Sequence, residues 1–375
     1  MGVDMINDRR LLGALAVVLV TIAASCTAPP SQTPQQQVDA IISFVESARG
    51  HAFVTHPAVV FEADAVFRQH VLDSIAASQA DVDRAEPAFH ALGWLAPTDS
   101  LYQKFQITFG GTVVGFYDPA TKVLEVRGSD LTPYRREVIA HELTHALDDQ
   151  LFDLGGDFGD GFLGERSFAA RVAIEGDAVR VQQAYYGSMS GIDQAQDIAE
   201  QLSFPVDPAL LTVPLTLLTF TQVPYLRGGT LVNEVSGALG TPAGPDQLMS
   251  RYPVTAEQAF DTSKYLADEP AAPVAPPPAD GPVVESGSWG QYLLSEIIGE
   301  GSALTSVAPA TVGWAGDSYV TWHGSGVDCI RLDTRMDTVD QAVVLRSSLD
   351  NWSTIHAGAA ITSVDDHTVR LSSCA

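Results

Sequence analysis

Basic side chains are few. The chain of 375 residues carries 20 Lys and Arg against 46 Asp and Glu, a formal charge of −26. A polyanion of this kind repels nucleic acid and anionic lipid surfaces, so nucleic acid is excluded as a partner. The excess otherwise serves solubility. Long hydrophobic runs are lacking too. The most apolar stretch, Leu11 to Ala24, is too short to span a bilayer comfortably; preceded by Arg9 and Arg10, it suits the core of an export signal. Cysteine is rarer still, at positions 26, 329 and 374, without the C-x-x-C spacing of a zinc or redox site. No internal repeat is apparent. What remains, 46% hydrophobic and 18% charged residues, is the composition of a foldable globular chain.

The segment Ile22-Ala23-Ala24-Ser25-Cys26 resembles the lipobox of bacterial lipoproteins, in which the Cys is lipidated and becomes the mature N-terminus. Ala23 stands where Leu is most usual, and Asp4 and Asp8 offset the two arginines, so plain secretion is the alternative. The expectation is a signal peptide over 1–25, lipid on Cys26, a Pro-, Gln- and Ser-rich tether over 26–37, and an extracytoplasmic location at the membrane. In that oxidising setting Cys329 and Cys374 make an even pair, and a disulfide is expected to tie the last strand to an earlier one.

Globular sequence is read over 38–375, as an α+β fold that is mostly helical. Val38, Ile41, Ile42 and Val45 recur at helical spacing, and further helices are read near 63–77 and 81–92. Val113 to Tyr117 and Val123 to Val126 flank a Pro-containing turn and predict a β-hairpin. A Gly- and Asp-rich loop follows over 154–164, then a helix over 165–186. Pro205, Pro208 and Pro214 limit helices to short or kinked ones, and another helix is read to start near Pro224. The Pro-rich stretch 271–282 separates domains or forms an exposed loop. A small ββαβ portion closes the chain over 313–375. His51, His56, His70 and His90 lack metal-ligand spacing and read as ordinary histidines.

The chemistry concentrates in Arg136 to Gln150. Thr132 and Pro133 suit the N-cap and first position of a helix. Within it, His141, Glu142 and His145 form H-E-x-x-H. Residues four apart share a helix face, so the two imidazoles can serve one metal ion, with Glu142 beside them as a base toward water. Asp148 and Asp149 fall in the last turn, where the helix dipole disfavours carboxylates. Asp149 continues the histidine stripe, which makes a supporting contact to His145 conceivable; solvated carboxylates are the plainer reading.

A catalytic zinc takes three protein ligands and an open position. The three-histidine pattern H-E-x-x-H-x-x-G-x-x-H needs His at position 151, which is Leu151. A downstream glutamate is the other choice. Glu175, in Ile174-Glu-Gly-Asp-Ala178, is flanked by small residues that allow close helix approach. Glu165 comes second, and Asp157 and Asp160, on a loop, come third. For an oxyanion donor the candidates are Tyr225, Arg227, Tyr319 and His323.

These motifs resemble those of gluzincin-type zinc metallopeptidases. They are more closely similar to a group of bacterial extracytoplasmic zincin-like lipoproteins. Shared with that group are Gly115 to Pro119 before the motif, the Pro-Tyr-x-x-Gly stretch Pro224 to Gly228, and Gly313 to Tyr319. The likeness spans about 38–319, which implies that 271–282 is a loop within one zincin-like unit. It implies Zn2+ on His141, His145 and Glu175, Glu142 as catalytic base, and a peptide or protein as substrate. The alternative is a catalytically silent zincin-like surface protein that binds through a structural zinc site.

Overall fold

The computed structural model describes residues 33–154, 158–299 and 307–375. Cys26, the export signal, most of the tether and Asp157 therefore lie outside the described residues. The fold is α+β. In chain order the N-terminal part comprises α1 (Pro34–Arg49), β1 (Ala58–Glu62), α2 (Asp64–Ile75), α3 (Gln79–Ala91), α4 (Leu101–Thr112), β2 (Gly115–Asp118) and β3 (Val123–Arg127). Seven helices follow: α5 (Pro133–Phe152), α6 (Glu165–Ser188), α7 (Gly191–Ser203), α8 (Leu215–Leu239), α9 (Ala243–Ser250), α10 (Ala256–Phe260) and α11 (Thr262–Leu266). The C-terminal part holds β4 (Val283–Gly287), α12 (Gly290–Gly299), β5 (Trp314–His323), β6 (Asp328–Met336), α13 (Val339–Ser353), β7 (Ala360–Ser363) and β8 (Thr368–Cys374). Among the described residues no helix is long and apolar enough to cross a membrane.

Helix α1 starts at Pro34, inside the stretch read as tether. Thr33 caps it: its hydroxyl accepts from the Gln36 N–H while Gln36 reaches back to the Thr33 N–H. This reciprocal cap, with Pro34 at the first position, outweighs the polar composition of Gln35 to Gln37.

Two sheets organise the rest. The smaller has the order β1-β3-β2, with β1 parallel and β2 antiparallel to β3. The hairpin is where the sequence placed it, and Leu124 and Val126 turn inward against Ile139, Leu143 and Leu147 of α5. Strand β1 was not anticipated, because its five residues show no alternation to separate them from neighbouring helical patterns. Helices α4 and α7 were also missed, although Ser100 and Ser190 cap them as sequence rules allow.

The larger sheet has the order β4-β5-β6-β8-β7, so the expected ββαβ is enlarged by an edge strand on each side. Cys329 and Cys374 are register partners on β6 and β8 and form the disulfide. The Pro-rich stretch runs beside this sheet: the Ala272 N–H donates to the Ala315 carbonyl at 2.7 Å, and Arg331 pairs with Asp280. One core cluster draws Phe168 and Phe220 together with Tyr292, Trp314 and Leu371, from both sides of that stretch.

Helix α8 runs unbroken through Pro224, so Pro224 to Gly228 lies in mid-helix rather than at a start. Proline removes one ladder bond there without ending a helix that is packed along its length. Gly228 explains the packing. A Cβ built on it would lie 2.3 Å from the Val172 carbonyl oxygen, and one on Gly176 would lie 2.4 Å from the Gly228 carbonyl. The backbones of α6 and α8 touch, which only glycine permits.

Candidate metal centre

Helix α5 is capped by Thr132, whose hydroxyl accepts from the Arg135 N–H, and Pro133 opens its first turn. Its apolar face is buried under the small sheet and α1, which turns the other face toward α6, with Tyr225 of α8 reaching His141. His141 and His145 project from that second face. Their Nε2 atoms lie 3.0 Å apart. Glu175 meets them from α6, its Oε2 at 3.2 Å from His141 Nε2 and 3.3 Å from His145 Nε2. Among the described residues these are the only three His, Cys, Asp or Glu side chains grouped closely enough for such a role. The cluster could hold a metal ion.

The donor set fits zinc. Two imidazole nitrogens and a carboxylate oxygen are ordinary zinc ligands. At bond lengths of about 2.0–2.1 Å, tetrahedral ligand atoms lie about 3.3 Å apart, close to the spacing of these three. The tautomer of His141 agrees. Its Nδ1 lies 2.9 Å from Gln182 Oε1, and Gln182 Nε2 donates to Glu137 Oε1 at 2.6 Å. An amide oxygen only accepts, so Nδ1 carries the proton and Nε2 presents its lone pair to the cluster. His145 Nδ1, by contrast, is buried without a partner.

The electrostatics favour positive charge beside Glu175. Burial by itself lowers His145, but Glu175 outweighs it, with help from Glu142 and Asp148, and raises the imidazole to about 9. Burial would raise Glu175; the two histidines reverse that and hold it far below the usual carboxylate range. Farther along the relay, burial and then the neighbouring Asp197 carboxylate of α7 push Glu137 up to about 8.

Glu142 stands on the cleft wall. Its Oε2 accepts the Tyr117 backbone N–H at 2.9 Å, from the edge of β2 that β3 leaves open. No Oε1 partner is found among the described residues, and the residue lines a cleft of about 540 Å³. His141, Glu175 and Tyr225 line the same cleft, with Phe109, Val113, Val114, Val138, Leu210 and Leu218 supplying much of its apolar wall. Tyr225 stacks on His141 with ring centroids 5.8 Å apart at 19°. The residue as a whole is exposed, but desolvation where its phenol meets the cluster, then Glu175 and Glu142, raise that phenol well above the ordinary range, so it remains a donor. The Gly176–Gly228 contact brings it near, because Glu175 directly precedes Gly176 and Tyr225 lies about one turn before Gly228.

Other residues singled out from the sequence stand elsewhere. Asp149 does not reach His145: Oδ2 accepts from Tyr117 Oη at 2.7 Å and from Lys122 Nζ at 2.6 Å. Nor is it solvated. Asp148 and Asp149 are both buried, because charge partners arrive from distant segments. Arg49 of α1, fully buried, places Nε 2.7 Å from Asp148 Oδ1, and it lies 2.6 Å from Asp177 Oδ2 without hydrogen-bond alignment. His323 is exposed at the end of β5 and pairs with Asp328 at 2.6 Å, outside the cleft lining. Tyr319 packs on Trp289 in the C-terminal part. Arg227 is spent on the Ala259 and Phe260 carbonyls and on Glu234. Glu165 accepts the Ala256 N–H at 2.6 Å, and Asp160 accepts the Arg166 and Ser167 N–H groups at the start of α6. Asp317, in the Gly313 to Tyr319 motif, ties Trp314 to the start of α12.

Gln182 was missed. It lies seven residues beyond Glu175, two turns along the same face of α6, and that spacing is the signal that could have found it. Compared with protein-family models, with curated proteins and with solved structures, the chain matches none.

Proposed function

We propose that this protein is a zinc-dependent hydrolase of peptide bonds, with His141, His145 and Glu175 as ligands and Glu142 as general base. The observation that carries the reading is the convergence of two imidazole nitrogens and one carboxylate oxygen within 3.3 Å, beside a cleft on which Glu142 stands. Zinc held by such a set supplies Lewis acidity toward a carbonyl and activates water at neutral pH.

The protein's own groups supply the remaining chemistry. Glu142, steadied through Oε2 by the Tyr117 N–H, accepts a proton from the attacking water and returns it to the leaving amine. Tyr225, kept protonated beside Glu175, is the donor placed to stabilise the oxyanion. Strand β2 supports a peptide as substrate. Its outer edge turns the Tyr117 N–H toward Glu142, and by the two-residue alternation Gly115 turns its N–H and carbonyl the same way. An extended peptide can add to such an edge. Location outside the cytoplasm, on a lipid attached at Cys26, belongs to the same proposal and rests on the N-terminal sequence.

The test is cleavage of casein or a peptide library by native zinc-loaded protein and by Glu142→Ala. Native cleavage that is lost in the variant, with zinc retained, is expected. Zinc bound by both and cleavage by neither would favour a binding protein.

A further inference from the structure

One cation that lines the cleft has no carboxylate in contact with it among the described residues. Arg171 lies on α6 one turn before Glu175 and lines the cleft. Its Nε donates to the Ser167 carbonyl at 3.2 Å and its Nη2 to the Phe162 carbonyl at 2.8 Å. The guanidinium carbon sits 3.7 Å from the centroid of the Phe162 ring and 5.0 Å from that of Phe220. No carboxylate lies within 4.0 Å of it among the described residues, whereas Arg49, Arg84, Arg180, Arg251, Arg331 and Arg370 each have one; Arg166 and Arg335 also lack one, but neither lines the cleft. Nη1 makes no hydrogen bond among the described residues.

Carboxylates are abundant in a chain with 46 acidic and 20 basic residues, yet none of the described ones contacts this guanidinium in the cleft. A half-buried guanidinium held by two carbonyls and two rings has lost its freedom to turn toward solvent, and Glu175 and Asp160 act on its charge only from beyond contact distance. Burial lowers its pKa to about 10, which still leaves it charged at neutral pH. The fork geometry of arginine suits a carboxylate, and a group fixed in advance loses little entropy on binding one. Around it the cleft is lined by Phe109, Val113, Leu210 and Leu218, which favour an apolar neighbour.

We propose that Arg171 determines specificity: the cleft takes peptides that present a carboxylate next to a bulky apolar residue, at the position one helical turn from the metal ligands. The carboxylate comes from a free C-terminus or from an Asp or Glu side chain. This inference rests on the hydrolase reading for the site's role but is tested by binding alone.

The experiment uses full-length, zinc-loaded protein carrying Glu142→Gln, so that binding is read without turnover. Calorimetric titration compares three probes: N-acetyl-Phe-Leu as free acid, the same peptide as amide, and N-acetyl-Phe-Glu-amide. At least one carboxylate probe is expected to bind ten-fold or more tighter than the neutral amide. A preference confined to the free acid assigns the C-terminus, and one shared by the Glu peptide assigns the side chain. Adding Arg171→Met should abolish the preference, and Arg171→Lys, which keeps the charge but not the fork, should restore part of it. Equal binding of charged and neutral probes, binding of none, or a preference that survives Arg171→Met with native melting behaviour would overturn the proposal. Failure of the hydrolase reading shows separately, as absent casein cleavage by the protein with Glu142 intact.

Discussion

Gly176 and Gly228 meet backbone to backbone, so that a single added methyl on either would overlap the other's main chain. This contact sets the spacing of α6 and α8, and with it the approach of Tyr225 to Glu175 and His141. Gly228→Ala must therefore push the helices apart. We expect it to cost about 1–3 kcal/mol in urea unfolding and to weaken zinc binding at the same time. Native stability in this variant would mean that the two helices are free to shift.

Gln182 fixes the tautomer of His141 while touching no other member of the cluster. Gln182→Met keeps the length and removes the acceptor. Loss of an outer hydrogen bond to a ligand histidine lowers metal affinity by about 10–100-fold. The measurement is competition with a chelating dye, alongside the melting temperature of the metal-free protein, which should change little. Unchanged affinity would remove Gln182 from the account.

The Glu137–Asp197 pair makes stability depend on pH. Glu137 is raised from 4.5 to about 8 in the folded protein, so the native state holds a proton there that the unfolded chain has lost. Its contribution is complete below about pH 4.5 and is lost as pH rises toward 8, with a slope of at most about 1.4 kcal/mol per pH unit. Glu137→Gln, which stays neutral, should flatten the urea midpoint across that window. An unaltered pH profile would show that Glu137 does not hold a proton in the folded protein.

Arg49 joins α1 to Asp148, three residues past His145, and to Asp177, two past Glu175. Arg49→Met would leave two buried carboxylates facing each other. Breaking a buried pair by removing one partner costs about 3–5 kcal/mol, and unfolding in urea should show a loss of that order. Acidification should relieve part of it, because burial and the Asp177 charge already raise Asp148 well above its ordinary range.

The disulfide closes a span of 45 residues. On loop entropy it stabilises by about 4 kcal/mol, an amount that Cys329→Ala with Cys374→Ala should forfeit. The comparison is thermal unfolding with zinc held constant.

Much of this was legible locally. Thr132 and Pro133 marked the start of α5, the branched residues around Pro119 marked the hairpin, and the small residues after Glu175 marked it as a carboxylate that could approach another helix. The partners of the charged groups were not legible, because they come from afar: Tyr117 reaches Glu142 across 25 residues, Arg49 reaches Asp148 across 99, and Arg49 reaches Asp246 across 197. Asp149 is the instructive case. Helical spacing aligned it with His145, but Tyr117 and Lys122 draw its carboxylate to the hairpin. A periodicity argument assigns a face; which neighbour claims a side chain depends on what packs against that face.

The central claim is that Glu175 completes a zinc site with His141 and His145. Its most direct test is the zinc content of purified, dialysed protein, native and Glu175→Ala, by plasma mass spectrometry with circular dichroism as a check on folding. The account predicts about one zinc per native chain and almost none in the folded variant, as three protein ligands require. Equal zinc in both, or none in the native protein after exposure to zinc, would contradict it.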